Sequence, residues 1–173
     1  MKTQSGHLVH LVQGAMIAAI YTVLTYLAAL VGLAYGPVQF RFSEALTILP
    51  VFTASAVPGL TVGCLLANIF SGYGIYDMVF GTAATLIAAV GTRLLRNVRF
   101  RGVPVLAPLP PVLVNAVIVG AEIVILSPGG FAWAAFWTAA CQVGLGELVV
   151  CYVLGLPLAI LIEKNKTLKS LLQ

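Results

Sequence analysis

Apolar residues run in long blocks along this chain, broken unevenly by Gly, Pro and charge, and no block alternates with the period of two that marks a half-buried strand. The first block, "LVQGAMIAAIYTVLTYLAALVGLA", exceeds the roughly 20 mostly apolar residues that a helix needs to cross a hydrocarbon core. The breaks predict six helices, over about 8–34, 43–56, 59–71, 77–95, 111–127 and 131–162. A Gly36-Pro37 turn in "YGPVQFR" ends the first, Pro50 lies inside the second, and the third runs into "SGYGIYD". The fourth ends in "RLLRNVRFR". Prolines in "VPVLAPLPP" delay the fifth until about Pro111, because proline is tolerated best in a first turn. The sixth is long enough to tilt or to project beyond the bilayer.

Composition turns six apolar helices into six transmembrane spans. Of 173 residues, 61% are hydrophobic and 8% charged, where a soluble domain carries about a quarter charged. The expectation is a single all-α integral membrane domain over residues 1–173, with no soluble domain. Lys2 ahead of an apolar run imitates a secretory signal, but the run outlasts an h-region of about 7–15 residues and more spans follow, which favours a retained first helix. A transmembrane β-barrel would show alternating segments of about ten residues, and none is visible.

Charge orients the bundle. With six spans both termini share a side, and that side receives Lys2, Arg93, Arg96, Arg99, Arg101, Lys164, Lys166 and Lys169, whereas the other receives only Arg41. The positive-inside rule puts both termini in the cytoplasm. Loop orientation and contact with anionic lipid account for the arginines of "RLLRNVRFR". The acidic residues run the opposite way: Glu163 lies inside, while Glu44, Asp77, Glu122 and Glu147 fall at the outer face or within the membrane. One arginine against four carboxylates leaves the outer half at −3, and eight basic residues against one acidic leave the inner side at +7, together the +4 of the chain.

Ionisable groups within spans are costly and usually line a cavity, so each is a site candidate. At about 1.5 Å of rise per residue, Glu122 lies roughly 8 Å below the outer end of its helix and Asn115 about 18 Å below. Gln142 lies about 17 Å down the last helix, with Glu147 deeper. Asn115, Val119 and Glu122 fall on one helix face, and Asn68 sits near the outer end of the third helix. These residues suggest a polar pocket open to the outside. The amides could equally be interhelical hydrogen-bond partners, and Asp77 could cap the fourth helix. Glu122 and Glu147 are harder to dismiss, since no basic residue inside a span neutralises them. Tyr73, Tyr76, Phe131, Trp133 and Trp137 gather at the outer ends, as an interfacial belt or as stacking surfaces for a planar ligand. Gly14/Ala18, Ala15/Ala19 and Gly59/Gly63 have small-xxx-small spacing, which permits close helix approach within the chain or against another.

Other chemistries find no support. Cys64, Cys141 and Cys151 are scattered singly, without disulfide or metal spacing, and read as packing residues. No phosphate-binding loop is present, and no Ser/His/Asp or Cys/His arrangement is visible, since His7 and His10 both sit at the N-terminus. We therefore expect neither an enzyme, a cofactor, a bound metal nor a nucleic-acid partner. Without convincing internal repeats an inverted-repeat carrier is not supported either.

"GPVQFRFSEALTILP" (36–50) and "GCLLANIFSGYGIYDMVFGTAATLIAA" (63–89) resemble the QueT family, the substrate-binding S components of energy-coupling-factor transporters for queuosine precursors. The resemblance extends over essentially the whole chain. It implies a membrane-embedded binding subunit with an S-component-like bundle, working with a coupling transmembrane subunit and two cytoplasmic ATPases. It further implies that an A-x-x-x-A stretch on the first helix, matched by Ala15 and Ala19, contacts the coupling subunit. The ligand class it implies is a 7-deazaguanine base or queuine. Its guanine-like edge would pair with a carboxylate, Glu122 or Glu147, with Asn68, Asn115 and Gln142 on the remaining polar atoms and an aromatic such as Tyr76 or Trp137 on the ring. Alternatives are an S component for another small vitamin or nucleobase, or a stand-alone proton-coupled carrier relaying through Glu147. Arg41 and Glu44 in "QFRFSEAL" have the i, i+3 spacing of a structural pair holding the first loop, with Glu44 as a possible ligand contact at the pocket rim.

Overall fold

A computed structural model describes residues 2–35 and 38–172, with side-chain surroundings from His7 onward; the Gly36-Pro37 turn and the Lys2 side chain lie outside the described residues. The chain is helical throughout. Among the described residues seven α-helices follow in order: α1 (Lys2–Leu30), α2 (Ala56–Asn68), α3 (Ile75–Leu94), α4 (Leu109–Ile125), α5 (Trp133–Val150), α6 (Leu156–Lys164) and the short α7 (Lys166–Leu171). A ten-residue 3₁₀ helix, Phe42–Val51, lies between α1 and α2, and a π-helical turn, Cys151–Gly155, joins α5 to α6. Among the described residues the one β feature is an isolated bridge between Phe100 and Val103.

Three helical stretches, His7–Leu30, Ile75–Asn97 and Trp133–Lys164, are long and apolar enough to cross a membrane, and three shorter apolar helices, Phe42–Val51, Ala56–Asn68 and Leu109–Ile125, lie among them. Large apolar side chains cover the outside, with Leu30, Phe70 and Leu94 each about three-quarters exposed or more. A surface this apolar suits lipid and would be an aggregation liability in water.

Element boundaries shift where local chemistry is strong. The fifth expected helix begins at Leu109 rather than about Pro111, because Pro110 and Pro111 occupy a first turn whose N–H groups have no intrahelical acceptor anyway. The second expected helix, about 43–56, is corrected to the 3₁₀ segment 42–51. A 3₁₀ helix rises about 2 Å per residue, so ten residues reach roughly 20 Å. Eight of those ten residues are buried, packed between α1, α2, α3, α5, α6 and the π turn, so this central strut presents Ser43, Glu44 and Thr47 to its neighbours.

The small residues of the first helix are used within the chain. A Cβ on Gly59 would stand 2.7 Å from the Gly14 carbonyl oxygen, and one on Gly63 2.9 Å from that of Ala18, so α1 and α2 pack backbone to backbone along Gly14/Ala18 and Gly59/Gly63. Ala15 and Ala19 face outward and are exposed. At the basic end, Glu163 bridges Arg99 (2.5 Å) and Lys169 (2.8 Å), tying α7 to the segment after α3.

Candidate functional site

The polar residues that should be unwelcome in an apolar chain converge at one end of the bundle. Ser43, Glu44, Asn68, Asp77, Asn115, Glu122 and Glu147 are each at least nine-tenths buried, and so is Arg41. Four helices and the 3₁₀ strut supply them, which is why no single stretch of sequence displays the site.

Arg41 does not pair with Glu44; that expectation is corrected. Its guanidinium lies 3.5 Å from Asp77 Oδ2 and donates to Asn68 Oδ1 (3.5 Å) and to the Ala34 carbonyl (3.0 Å), while stacking 5.1 Å from the Tyr35 ring centroid. Glu44 turns inward instead and accepts a hydrogen bond from the Tyr21 hydroxyl on α1. The reason is backbone direction: Arg41 precedes the 3₁₀ helix in extended conformation, so the i, i+3 geometry of a continuous helix does not arise. The capping role considered for Asp77 is likewise corrected. The residue before α3 is Gly74, at φ +60°, and Asp77 sits inside the first turn, where its charge complements the helix dipole and meets Arg41.

Asn68 ends α2 and donates to the Asp77 carbonyl (2.9 Å), locking α2 to α3. Gly81 makes this possible, since a Cβ there would stand 2.6 Å from Asn68 Nδ2 and 2.9 Å from Asp77 Oδ1.

A second group forms deeper. Asn115 Nδ2 on α4 donates to Glu147 Oε1 on α5 (2.9 Å), and the Cys151 thiol approaches Glu147 Oε2 (3.6 Å), the Glu44 carbonyl (3.7 Å) and Thr47 Oγ1 (3.6 Å). Cys151 opens the π turn, a feature often found at functional sites. Gly146, just before Glu147, lies directly against the backbone of Gln39, leaving no room for a Cβ; the loop ahead of the strut therefore lies on α5 beside Glu147.

Glu122 is different. It is 3% exposed on α4, and among the described residues neither carboxylate oxygen has a hydrogen-bond partner. Beside it, between α3 and α4, lies a groove of about 450 Å³ lined by Tyr76, Phe80, Ala83, Val117, Ile118, Ala121, Ile125 and Leu126. Glu44 Oε2 and Asp77 Oδ2 also lack aligned donors.

Of the candidate residues, Glu44, Asn68, Asp77, Asn115 and Glu147 join these networks, and Glu122 with Tyr76 forms the groove. Gln142 is half-buried one turn before Gly146, and Trp137 is exposed on the outside of α5, 5.1 Å from Phe136 in an edge-to-face cluster. Sequence reasoning missed Tyr21, Thr47 and the contact made by Cys151. A hydroxyl or thiol within an apolar helix carries no pattern that names its partner on another helix.

Among the described residues no group of three or more His, Cys, Asp or Glu is placed to hold a metal ion. No solved structure matches the chain. Over 73 residues it is 36% identical to the queuosine precursor transporter QueT of Lactococcus lactis subsp. cremoris (strain MG1363), a match covering 42% of this chain and 43% of that protein, so it spans less than half of the relative. The family model described as QueT transporter matches residues 11–164, and the chain belongs to that family of membrane transporters, which is not an enzyme class.

Proposed function

We propose that this chain is the membrane-embedded substrate-binding subunit for uptake of a queuosine precursor, a 7-deazaguanine base or queuine, in an ATP-driven energy-coupling-factor transporter. In this reading it is a six-span cell-membrane protein with both termini cytoplasmic, partnered by a coupling transmembrane subunit and two cytoplasmic ATPases. The observation that carries the reading is the convergence of buried carboxylates with spare acceptor capacity in a protein of a transporter family.

The chemistry suits a guanine-like edge. A carboxylate oxygen has two lone pairs, so Glu147 can hold Asn115 and Cys151 and still accept the ring N–H and exocyclic amine of a base side by side. Its two protein donors fix its orientation before the ligand arrives, which lowers the ordering cost of binding. Glu44, backed by Tyr21 and with Oε2 open, is the second acceptor, and Asn68 and Gln142 supply further polar contacts. Exposed Ala15 and Ala19 offer the small-residue surface that a coupling subunit could approach closely.

Calorimetry on the purified protein tests this reading. The wild type should bind deazaguanine bases, and Glu147→Gln should weaken binding tenfold to a hundredfold, the roughly 1.5–3 kcal/mol of a hydrogen bond to a charged group. Absence of binding by the wild type, or unchanged affinity in Glu147→Gln, would overturn it.

A further inference from the structure

Glu122 stands apart from the other buried carboxylates. Glu44 has Tyr21, Asp77 has Arg41, and Glu147 has Asn115 and Cys151, whereas both oxygens of Glu122 are without a donor among the described residues at 3% exposure. A charge buried in apolar surroundings without a partner is costly, and inside membrane spans such groups mark binding pathways. The groove against it has the volume of an ordinary small-molecule pocket, about 450 Å³. Its walls are apolar apart from Glu122 and the hydroxyl of Tyr76, with Tyr76 and Phe80 presenting aromatic surface along α3. A neutral polar group entering it would find no polar side chain to complement beyond the Tyr76 hydroxyl and the Glu122 carboxylate. A cation would find a counter-charge at the end and aromatic surface on the way in, both attractive to an ammonium.

We propose that the α3–α4 groove ending at Glu122 is a cation subsite that selects a substrate carrying a short, positively charged amine arm over one with a neutral arm. The inference rests on the proposed function: among 7-deazaguanine bases it assigns the aminomethyl-substituted form as the preferred ligand, with Glu122 reading the arm and Glu147 the ring edge. Glu122 is thus a specificity determinant that leaves recognition of the base itself to other residues.

Two probes separate the possibilities, 7-aminomethyl-7-deazaguanine and its 7-cyano counterpart, titrated into the full-length protein in detergent. The wild type should bind the aminomethyl base at least tenfold more tightly. Glu122→Gln, close in shape, should abolish that preference by weakening the aminomethyl base while changing affinity for the cyano base less than threefold. Ala83→Phe intrudes into the groove from an exposed position and leaves Glu122 intact; it should also weaken the aminomethyl base selectively. Wild-type preference for the cyano base, or equal effects of both variants on the two bases, would overturn the cation subsite while leaving the broader function standing. Failure of the wild type to bind either base would overturn both readings.

Discussion

Arg41 shows how far one side chain's role depends on surroundings that its neighbours in sequence do not reveal. It is 6% exposed, and the charge opposite it is Asp77, thirty-six positions later, at 2% exposure. Breaking a buried pair strands the remaining charge, so Arg41→Leu should cost about 3 kcal/mol of stability, read as a fall in thermal unfolding temperature in detergent. A double-mutant cycle should give a coupling above about 1 kcal/mol for Arg41 with Asp77 and a smaller one for Arg41 with Glu44; the reverse order would restore the i, i+3 pair. Tyr21→Phe removes the donor to Glu44 and should destabilise by about 1–3 kcal/mol, the cost of leaving a buried acceptor unsatisfied. A loss below about 0.5 kcal/mol in the same melting assay would show that Glu44 finds water or another donor.

At the scale of elements, small residues decide where helices meet and where the site closes. Gly63→Val would push a side chain into the Ala18 backbone and Tyr21 Cβ, both 2.9 Å from a Cβ at that position, so α1 and α2 must separate. That overpacking should cost about 1–3 kcal/mol by thermal unfolding. Ala19→Leu, on the exposed side of the same helix, should leave unfolding unchanged within about 0.5 kcal/mol but prevent co-purification with the proposed coupling subunit. Normal assembly of Ala19→Leu would remove α1 from the partner surface. Which of the two interleaved small-residue stripes faces inward is not legible, because both obey the same spacing; α2 settles it by packing on the Gly14/Ala18 side. For the strut itself the sequence predicts an ordinary helix. Pro50 is visible within it, but the burial of eight of its ten residues against neighbouring helices lies outside any local window.

For the molecule as a whole, the proposed arrangement makes a prediction about energy coupling. Proteoliposomes holding this chain alone should bind deazaguanine bases but show no uptake down a pH gradient, and uptake should appear only with the coupling subunit, both ATPases and ATP. Accumulation driven by a proton gradient in the isolated chain would identify a stand-alone carrier instead. The same proposal puts the basic cluster on the cytoplasmic side, which labelling can test. A cysteine introduced at Ser170, on exposed α7, should be labelled only after the membrane is permeabilised, and one at Gly129, between α4 and α5, in intact cells.

The sequence by itself determined the class of the molecule: apolar blocks of spanning length, sparse charge and a basic bias at one end leave a helical membrane protein as the economical solution, because each backbone group in lipid must be satisfied within its own helix. It also marked Glu44, Asp77, Asn115, Glu122 and Glu147, since a polar group in an apolar helix is costly enough to signal its own importance. What the tertiary structure decided is who meets whom: Asp77 rather than Glu44 for Arg41, Tyr21 for Glu44, Asn115 and Cys151 for Glu147, and, among the described residues, no one for Glu122. Periodicity assigns a residue to a face of its helix, but the partner across that face depends on how glycines at 59, 63 and 146 let neighbouring backbones approach and how Gly81 admits the Asn68 side chain, and that is a property of the packed bundle.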